Sequence, residues 1–395
     1  MIDPPCIALL DDDIGLCAFM TDVAQAAGFR TIMAHDGREL ATLLASEPVV
    51  LVLDLAMAHM DGIEVIRQLA AARFTGRLVI VSGHSASMLQ SAKLLAELQG
   101  VRVAGVLTKP IRAESLLALL RAPELKAAMP PVHHDISRAD LARGIESNEL
   151  VLHYQPQVRL SDGAWVGLEA LVRWQHPKLG LLYPDAFIKL AEQSGLALPL
   201  TRKVIDMALA ESMSITGNLD FSGTLSINLP PVAMTDLTFP EAVLDAVNKV
   251  GCKVENIMFE VTETSVPVNP ANAIDILTRL RLKGFALSID DFGTGHSSLE
   301  NLQHLPFTEL KIDLIFVRTA ETDTASRLIV ESSIALGGQL GLKVLAEGLE
   351  NESLWHWLRD AGCDLGQGYF IARPMPLEQM SAWQGEWESR RMALV

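Results

Sequence analysis

Short, almost uninterrupted apolar runs recur along this chain, and most end on an acidic or polar residue. In the first 120 residues they read "CIALL", "VVLVLDLA", "LVIVSG" and "VAGVLTKP", separated by stretches of helical length such as "GLCAFMTDVAQAAG". A strand that is apolar on both faces has to be covered on both faces. Strands of that kind alternating with helices therefore predict a parallel sheet sandwiched between helices. The expected fold of residues 1–121 is a doubly wound, flavodoxin-like domain.

At 395 residues the chain is too long for a single ordinary core. Around residues 122–138 the text becomes "APELKAAMPPVHHDISR", where Pro123, Pro130 and Pro131 interrupt helix formation. This segment reads as an interdomain linker, and His133 and His134 as linker residues, because no other ligand type clusters beside them. Residues 139–395 then carry eight strand candidates: "ELVLHYQPQVRL", "WVGLEALVRW", "TLSINLP", "NIMFEVTET", "FALSIDDFG", "ELKIDLIFV", "LKVLAEG" and "DLGQGYF". Helical stretches separate most of them from the third onward. That rhythm is the size of a (β/α)8 barrel. Only Ser161-Asp162-Gly163 joins the first two strands, too little for a parallel crossover. The expectation is a modified TIM barrel whose first strand is antiparallel to the second.

Functional classes are narrowed by charge. A net charge of −16 argues against a nucleic-acid partner, since phosphate neutralisation needs basic stripes. No apolar run is long enough for a bilayer span and no signal peptide is apparent, so a cytoplasmic protein without membrane insertion is expected. Cys6, Cys17, Cys252 and Cys363 are scattered without CxxC spacing and read as free thiols of a reducing compartment.

Polar residues fall at the carboxyl ends of the expected strands, where both architectures build their sites. In the first domain these are Asp11, Asp12, Asp54, Ser82 and Lys109. Such a set suits one hard divalent cation and a phosphoryl group on Asp54, opposite the lysine. In the second domain the strand ends carry Glu169, Asn228, Glu260, Glu263, Asp290, Asp291, Lys311, Glu347, Glu350 and Gln367. Two carboxylates about 4 Å apart repel by roughly 4 kcal/mol at an effective dielectric near 20. So many acids around one lysine are untenable without cations, and oxygen ligands favour Mg2+ or Mn2+ over zinc. Asp290 and Asp291 would face opposite ways in a regular strand. The expectation is that the strand end twists both towards one mouth, where two cations would clamp a phosphodiester.

On "LLDDD", "VLDLAMAHMDG", "IVSG" and "LTKP", the first domain resembles the receiver domain of bacterial response regulators. The resemblance implies phosphotransfer to Asp54 from a cognate sensor histidine kinase. It also implies one Mg2+ on Asp11, Asp12 and Asp54, with Ser82 and Lys109 on the phosphoryl group. Ala58 and Val106 stand where that family usually has a proline and a switch aromatic.

The second domain resembles the EAL-domain family of cyclic-di-GMP phosphodiesterases. The carrying text is "YQP", Glu169-Ala170-Leu171, "SINLP", "FEVTET", "IDDFGTGHSSL", "LKID", "AEGLE" and "GQGYF". This implies hydrolysis of cyclic-di-GMP to linear pGpG, with two Mg2+ or Mn2+ held by Glu169, Asn228, Glu260, Asp290 and Asp291. By the same resemblance Lys311 orients the attacking water and Glu347 is the general base. Glu263 braces the loop after Asp291, Gln155 and Arg173 face the ligand, and Glu350 and Gln367 support the site. His296 stands where the family commonly has tyrosine. A homo-oligomer, dimer or higher, is expected, as is control through Asp54 of the loop from Phe292 to Ser298. A receptor that binds cyclic-di-GMP without cutting it, and an unrelated metal-dependent hydrolase, remain the alternatives at this point.

Overall fold

The structure, a computed structural model, describes residues 4–57, 60–83, 86–121, 136–219, 221–263, 270–294, 302 and 304–394. Ala58, the linker histidines and His296 lie outside these residues. The chain divides into two compact units, Met1–Pro130 and Pro131–Val395.

In the first unit, β1 (Cys6–Leu10), β2 (Arg30–Ala34), β3 (Val50–Asp54), β4 (Arg77–Ser82) and β5 (Val103–Thr108) form one parallel sheet in the order β2-β1-β3-β4-β5. The alternation of side chains explains the apolar runs. Ile7, Leu9, Val50, Val52, Val79 and Val81 pack on one face with Cys17, Met20 and Leu116. Ala8, Leu10, Leu51, Leu53, Leu78 and Ile80 pack on the other with Val65, Ile66 and Leu89. Val106, in place of the aromatic residue, packs against this second layer.

The second unit is an eight-stranded barrel: β6 (Leu150–Arg159), β7 (Trp165–His176), β9 (Thr224–Asn228), β10 (Ile257–Thr262), β11 (Ala286–Phe292), β12 (Glu309–Ile312), β13 (Lys343–Ala346) and β14 (Leu365–Gly366). The neighbours from β7 round to β14 are parallel. β6 closes the barrel antiparallel to both β7 and β14, as the five-residue connection after it, too short for a parallel crossover, requires. Two short strands were not anticipated. β8 (Gly180–Leu182) pairs with the overhanging end of β7, and β15 (Met375–Pro376) with β6. The eighth barrel strand is also shorter than expected, only Leu365–Gly366. Its text departs from the ladder at Gly368, where a Cβ would stand 2.3 Å from the Leu349 backbone.

Among the described residues, no helix is long and apolar enough to cross a membrane.

Candidate active site

The barrel strands bring most of the anticipated acids to one end, around a single buried cation. Lys311 on β12 is 0 % exposed. Its Nζ lies 2.7 Å from Glu347, 2.8 Å from Glu260, 3.2 Å from Asp290 and 3.7 Å from Glu169. Register accounts for the convergence. Glu260 pairs with Asn228 across β10 and β9, and Gln155 with Glu169 across β6 and β7. The Asn228 amide donates to Glu169 Oε1 at 3.1 Å. Gln367 Nε2 donates to Glu169 Oε2 at 2.6 Å and to Gln155 Oε1 at 3.0 Å.

Asp291 is where the strand breaks its own rule. It sits at φ 55°, the left-handed region that non-glycine residues rarely enter. The β11–β12 register shifts between Ile289 and Phe292. This irregularity re-aims one side chain. Oxygens of Asp290, Asp291 and Glu347 accordingly lie within 4.8 Å of one another. The expectation that both aspartates reach one mouth therefore holds, through a bulge and not through twist alone. The Gly293 N–H then donates to Glu263 Oε2 at 3.2 Å, tying the start of the next loop to the end of β10.

The electrostatics of this cluster are unbalanced. Burial pushes the Glu347 carboxyl up to about 8, against the pull of Lys311. Burial, with the field of Asp290, pushes Asp291 up to about 6. Glu260 is raised well above the carboxylate range, chiefly by burial. Burial works against the charge on Lys311, but the surrounding carboxylates outweigh it and hold the ammonium firmly protonated. Glu260 Oε1 is buried and accepts no hydrogen bond. An orphaned carboxylate oxygen, an all-oxygen donor set and one cation among several acids all fit hard divalent cations.

Other anticipated residues stand at varying distances from this centre. Arg173 is 5 % exposed, stacks 5.0 Å from the Tyr183 ring and donates from Nη1 to Val172 O. Glu350 is not drawn into the cluster; its exposed carboxylate pairs with Arg318 at 2.8 Å.

Three polar residues escaped the sequence reading. Asp313, 7 % exposed, caps the helix Leu314–Thr319 by accepting from Ile315 N at 2.7 Å, and its charge acts on Asp291. Two residues after Lys311, it could have been found by strand alternation. Gln157 donates to Gln367 Oε1 at 3.0 Å, and the same alternation from Gln155 would have flagged it. Glu309, buried beside Ser288 and pushed up to about 7 by burial, lies two residues before Lys311 on β12 and would have been flagged by the same alternation.

The first unit has its own acidic pocket at the ends of β1, β3, β4 and β5. Asp11, Asp54 and Ser82 are buried, Asp12 is exposed, and oxygens of the three aspartates lie within 4.8 Å of one another. Lys109 Nζ reaches Asp54 at 2.8 Å and Asp11 at 3.0 Å. Burial raises the Asp11 carboxyl, which favours a cation beside it. Cys17 Sγ and His35 Nδ1 both lie against the Asp11 carbonyl oxygen, at 3.4 Å and 2.9 Å.

Comparison with known proteins agrees with this division. Residues 7–121 match the response regulator receiver domain, and residues 138–374 match the EAL domain. The cyclic di-GMP phosphodiesterase RocR of Pseudomonas aeruginosa is 31 % identical over 385 residues, covering 95 % of this chain and 97 % of RocR. The bifunctional diguanylate cyclase/cyclic di-GMP phosphodiesterase MucR of the same organism is 37 % identical over 243 residues, which is 62 % of this chain but only 36 % of MucR. A solved structure of the PaMucR phosphodiesterase in complex with c-di-GMP superimposes with a TM-score of 0.58 at 37 % identity, covering 61 % of this chain and 98 % of that one. With matches along both units and a relative of the same two-part plan, this chain belongs to the EAL domain family and carries its barrel behind a response regulator receiver domain.

Proposed function

We propose that the barrel hydrolyses one phosphodiester of cyclic-di-GMP to give linear pGpG, with two divalent cations, and that phosphorylation of Asp54 by a sensor histidine kinase controls the rate. One observation carries the metal reading. Glu169, Glu260, Asp290, Asp291 and Glu347 set five carboxylates against the single ammonium of Lys311. This excess of negative charge supports binding of divalent cations at the cluster. Glu169, Asn228, Glu260, Asp290 and Asp291 would hold them. Mg2+ or Mn2+ there would supply charge neutralisation of the phosphodiester and a lowered pKa for bound water.

The protein's own groups have separable parts in this reading. Glu347 takes the proton of the attacking water, in reach of the cluster through Lys311 at 2.7 Å. Lys311 Nζ donates to Glu260 Oε2 at 2.8 Å and is ion-paired with Glu347 and Asp290. It can orient the water once one of these carboxylates turns to a cation. Gln367 and Asn228 fix the Glu169 carboxylate from two sides. Arg173 suits a phosphate or base of the ligand. In the receiver, Asp11, Asp12 and Asp54 would hold one Mg2+, and Lys109 would neutralise the phosphoryl group beside Ser82.

The test is direct. The purified full chain, given cyclic-di-GMP with Mg2+ or Mn2+, should release pGpG, and EDTA should stop it. Binding without pGpG would sink the enzyme reading, and turnover of many phosphodiesters without guanine preference would sink the substrate. Turnover measured with and without a phosphoryl mimic on Asp54 tests the control.

A further inference from the structure

Tyr183 is an exposed tyrosine in an unusual position. It follows β8, whose pairing with β7 sets Trp174 opposite Leu182 and so brings Tyr183 opposite Arg173. Arg173 is four residues from Glu169 on the same strand, so the two share a face, the one that looks onto the cluster. The Glu169 carboxylate acts on Arg173 through space. The arginine is 5 % exposed, yet its Nε has no hydrogen-bond partner. Its guanidinium lies 5.0 Å from the centroid of the Tyr183 ring, which is itself 58 % exposed.

Single exposed aromatic residues are ordinary on protein surfaces. This one is held in place. Pro184 follows it and restricts its backbone to the extended conformation seen, φ −92° and ψ 161°. Its carbonyl accepts from Ala186 N at 3.0 Å. The ring thus stands on a constrained backbone, with a buried cation on one side and solvent on the other. A flat, sequence-tolerant surface of this kind suits a nucleobase.

We propose that Tyr183 is a substrate-binding residue that stacks a purine base of the cyclic dinucleotide on its free face. The inference rests on the phosphodiesterase reading and adds a specificity element on β8 to it. The ring acts on a part of the substrate remote from the scissile bond, so it contributes to binding and not to the chemical step.

The experiment compares Tyr183→Ala and Tyr183→Phe on two substrates, cyclic-di-GMP and bis(p-nitrophenyl) phosphate, which has no nucleobase. The alanine variant should raise KM for cyclic-di-GMP about tenfold with kcat nearly unchanged. Phenylalanine should restore the wild-type value, and turnover of the base-free substrate should move in neither variant. Equal losses on both substrates would reduce the ring to a brace for the fold and overturn the stacking role, as would no change on either. Failure of phenylalanine to rescue would also overturn it. Should the wild type not cut cyclic-di-GMP at all, the phosphodiesterase reading falls, and binding still decides the stacking. Calorimetric Kd values for cyclic-di-GMP in a Glu347→Gln background should then weaken about tenfold when Tyr183→Ala is added. Equal Kd values would overturn the proposal.

Discussion

Replacing Glu347 by glutamine removes one negative charge from the barrel cluster with little change in side-chain size. Burial raises this carboxyl from the ordinary 4.5 to about 8, with Lys311 opposing and Asp290 and Glu169 assisting. At ~1.4 kcal/mol per pKa unit that is roughly 5 kcal/mol of destabilisation of the ionised folded state. The figure is an upper bound, because 15 % of the side chain reaches solvent. The folded pKa lies above the unfolded one. In metal-free protein the stability is therefore fully present below about pH 4.5 and is lost as the pH rises towards 8. Urea unfolding in EDTA, followed by tryptophan fluorescence, reads the barrel alone, since all six tryptophans, Trp165 to Trp387, lie in it. The wild-type midpoint should fall across that pH range more steeply than that of Glu347→Gln, which keeps the raised Asp291, Glu260 and Glu309 carboxyls. At pH 8 the variant should be the more stable by about 2–5 kcal/mol. Saturating Mg2+ should reverse the order, because cations repay the carboxylate, and hydrolysis by the variant should be slower by orders of magnitude. Parallel pH profiles for the two proteins in EDTA would refute the electrostatic reasoning.

Glu169→Ala should abolish metal-dependent hydrolysis; it also leaves amides of Gln367 and Asn228 without their acceptor, a loss of about 1–3 kcal/mol in urea unfolding. Asp291→Asn should keep the fold, whereas Asp291→Val, β-branched at φ 55°, should cost on the order of 1–2 kcal/mol more in the same assay. Asp54→Asn should take up no phosphoryl group from acetyl phosphate, measured by phosphoprotein staining, while the wild type is labelled.

Much of this architecture was legible because it rests on local rules. Five residues between the first two barrel strands are too few for a parallel crossover, and the antiparallel β6 follows. Strand-end acids were legible for the same reason: a barrel collects its strand ends at one mouth. What escaped depends on geometry that alternation does not encode. Asp291 is expected beside Asp290 through strand twist, but a bulge with a left-handed backbone is what brings it there. Glu350 sits in an acidic motif, but the chain turns after Leu349 and its carboxylate meets Arg318 instead. Tyr183 reads as an unremarkable loop residue until the β7–β8 register sets it opposite Arg173. Where a side chain's role is set by a neighbouring strand, one sequence does not announce it.

The bulge also constrains how the proposed control could reach the chemistry. Asp291 at φ 55° and Gly293, whose N–H is held by Glu263, are two residues apart on one backbone. Any rearrangement transmitted through the segment that begins at Gly293 must first disturb the Asp291 carboxylate or break the Glu263 bond. Asp291 belongs to the set that would hold cations, whereas Arg173 and Tyr183, on β7 and after β8, are anchored by a separate pairing. Control acting through this segment should therefore alter the affinity for metal before it alters the affinity for the dinucleotide. Activation curves against Mg2+, with the receiver carrying a phosphoryl mimic and without it, should differ in midpoint while KM for cyclic-di-GMP at saturating metal stays the same. A change in KM with an unmoved Mg2+ midpoint would show that the signal bypasses the bulge and enters through the β7–β8 side of the mouth.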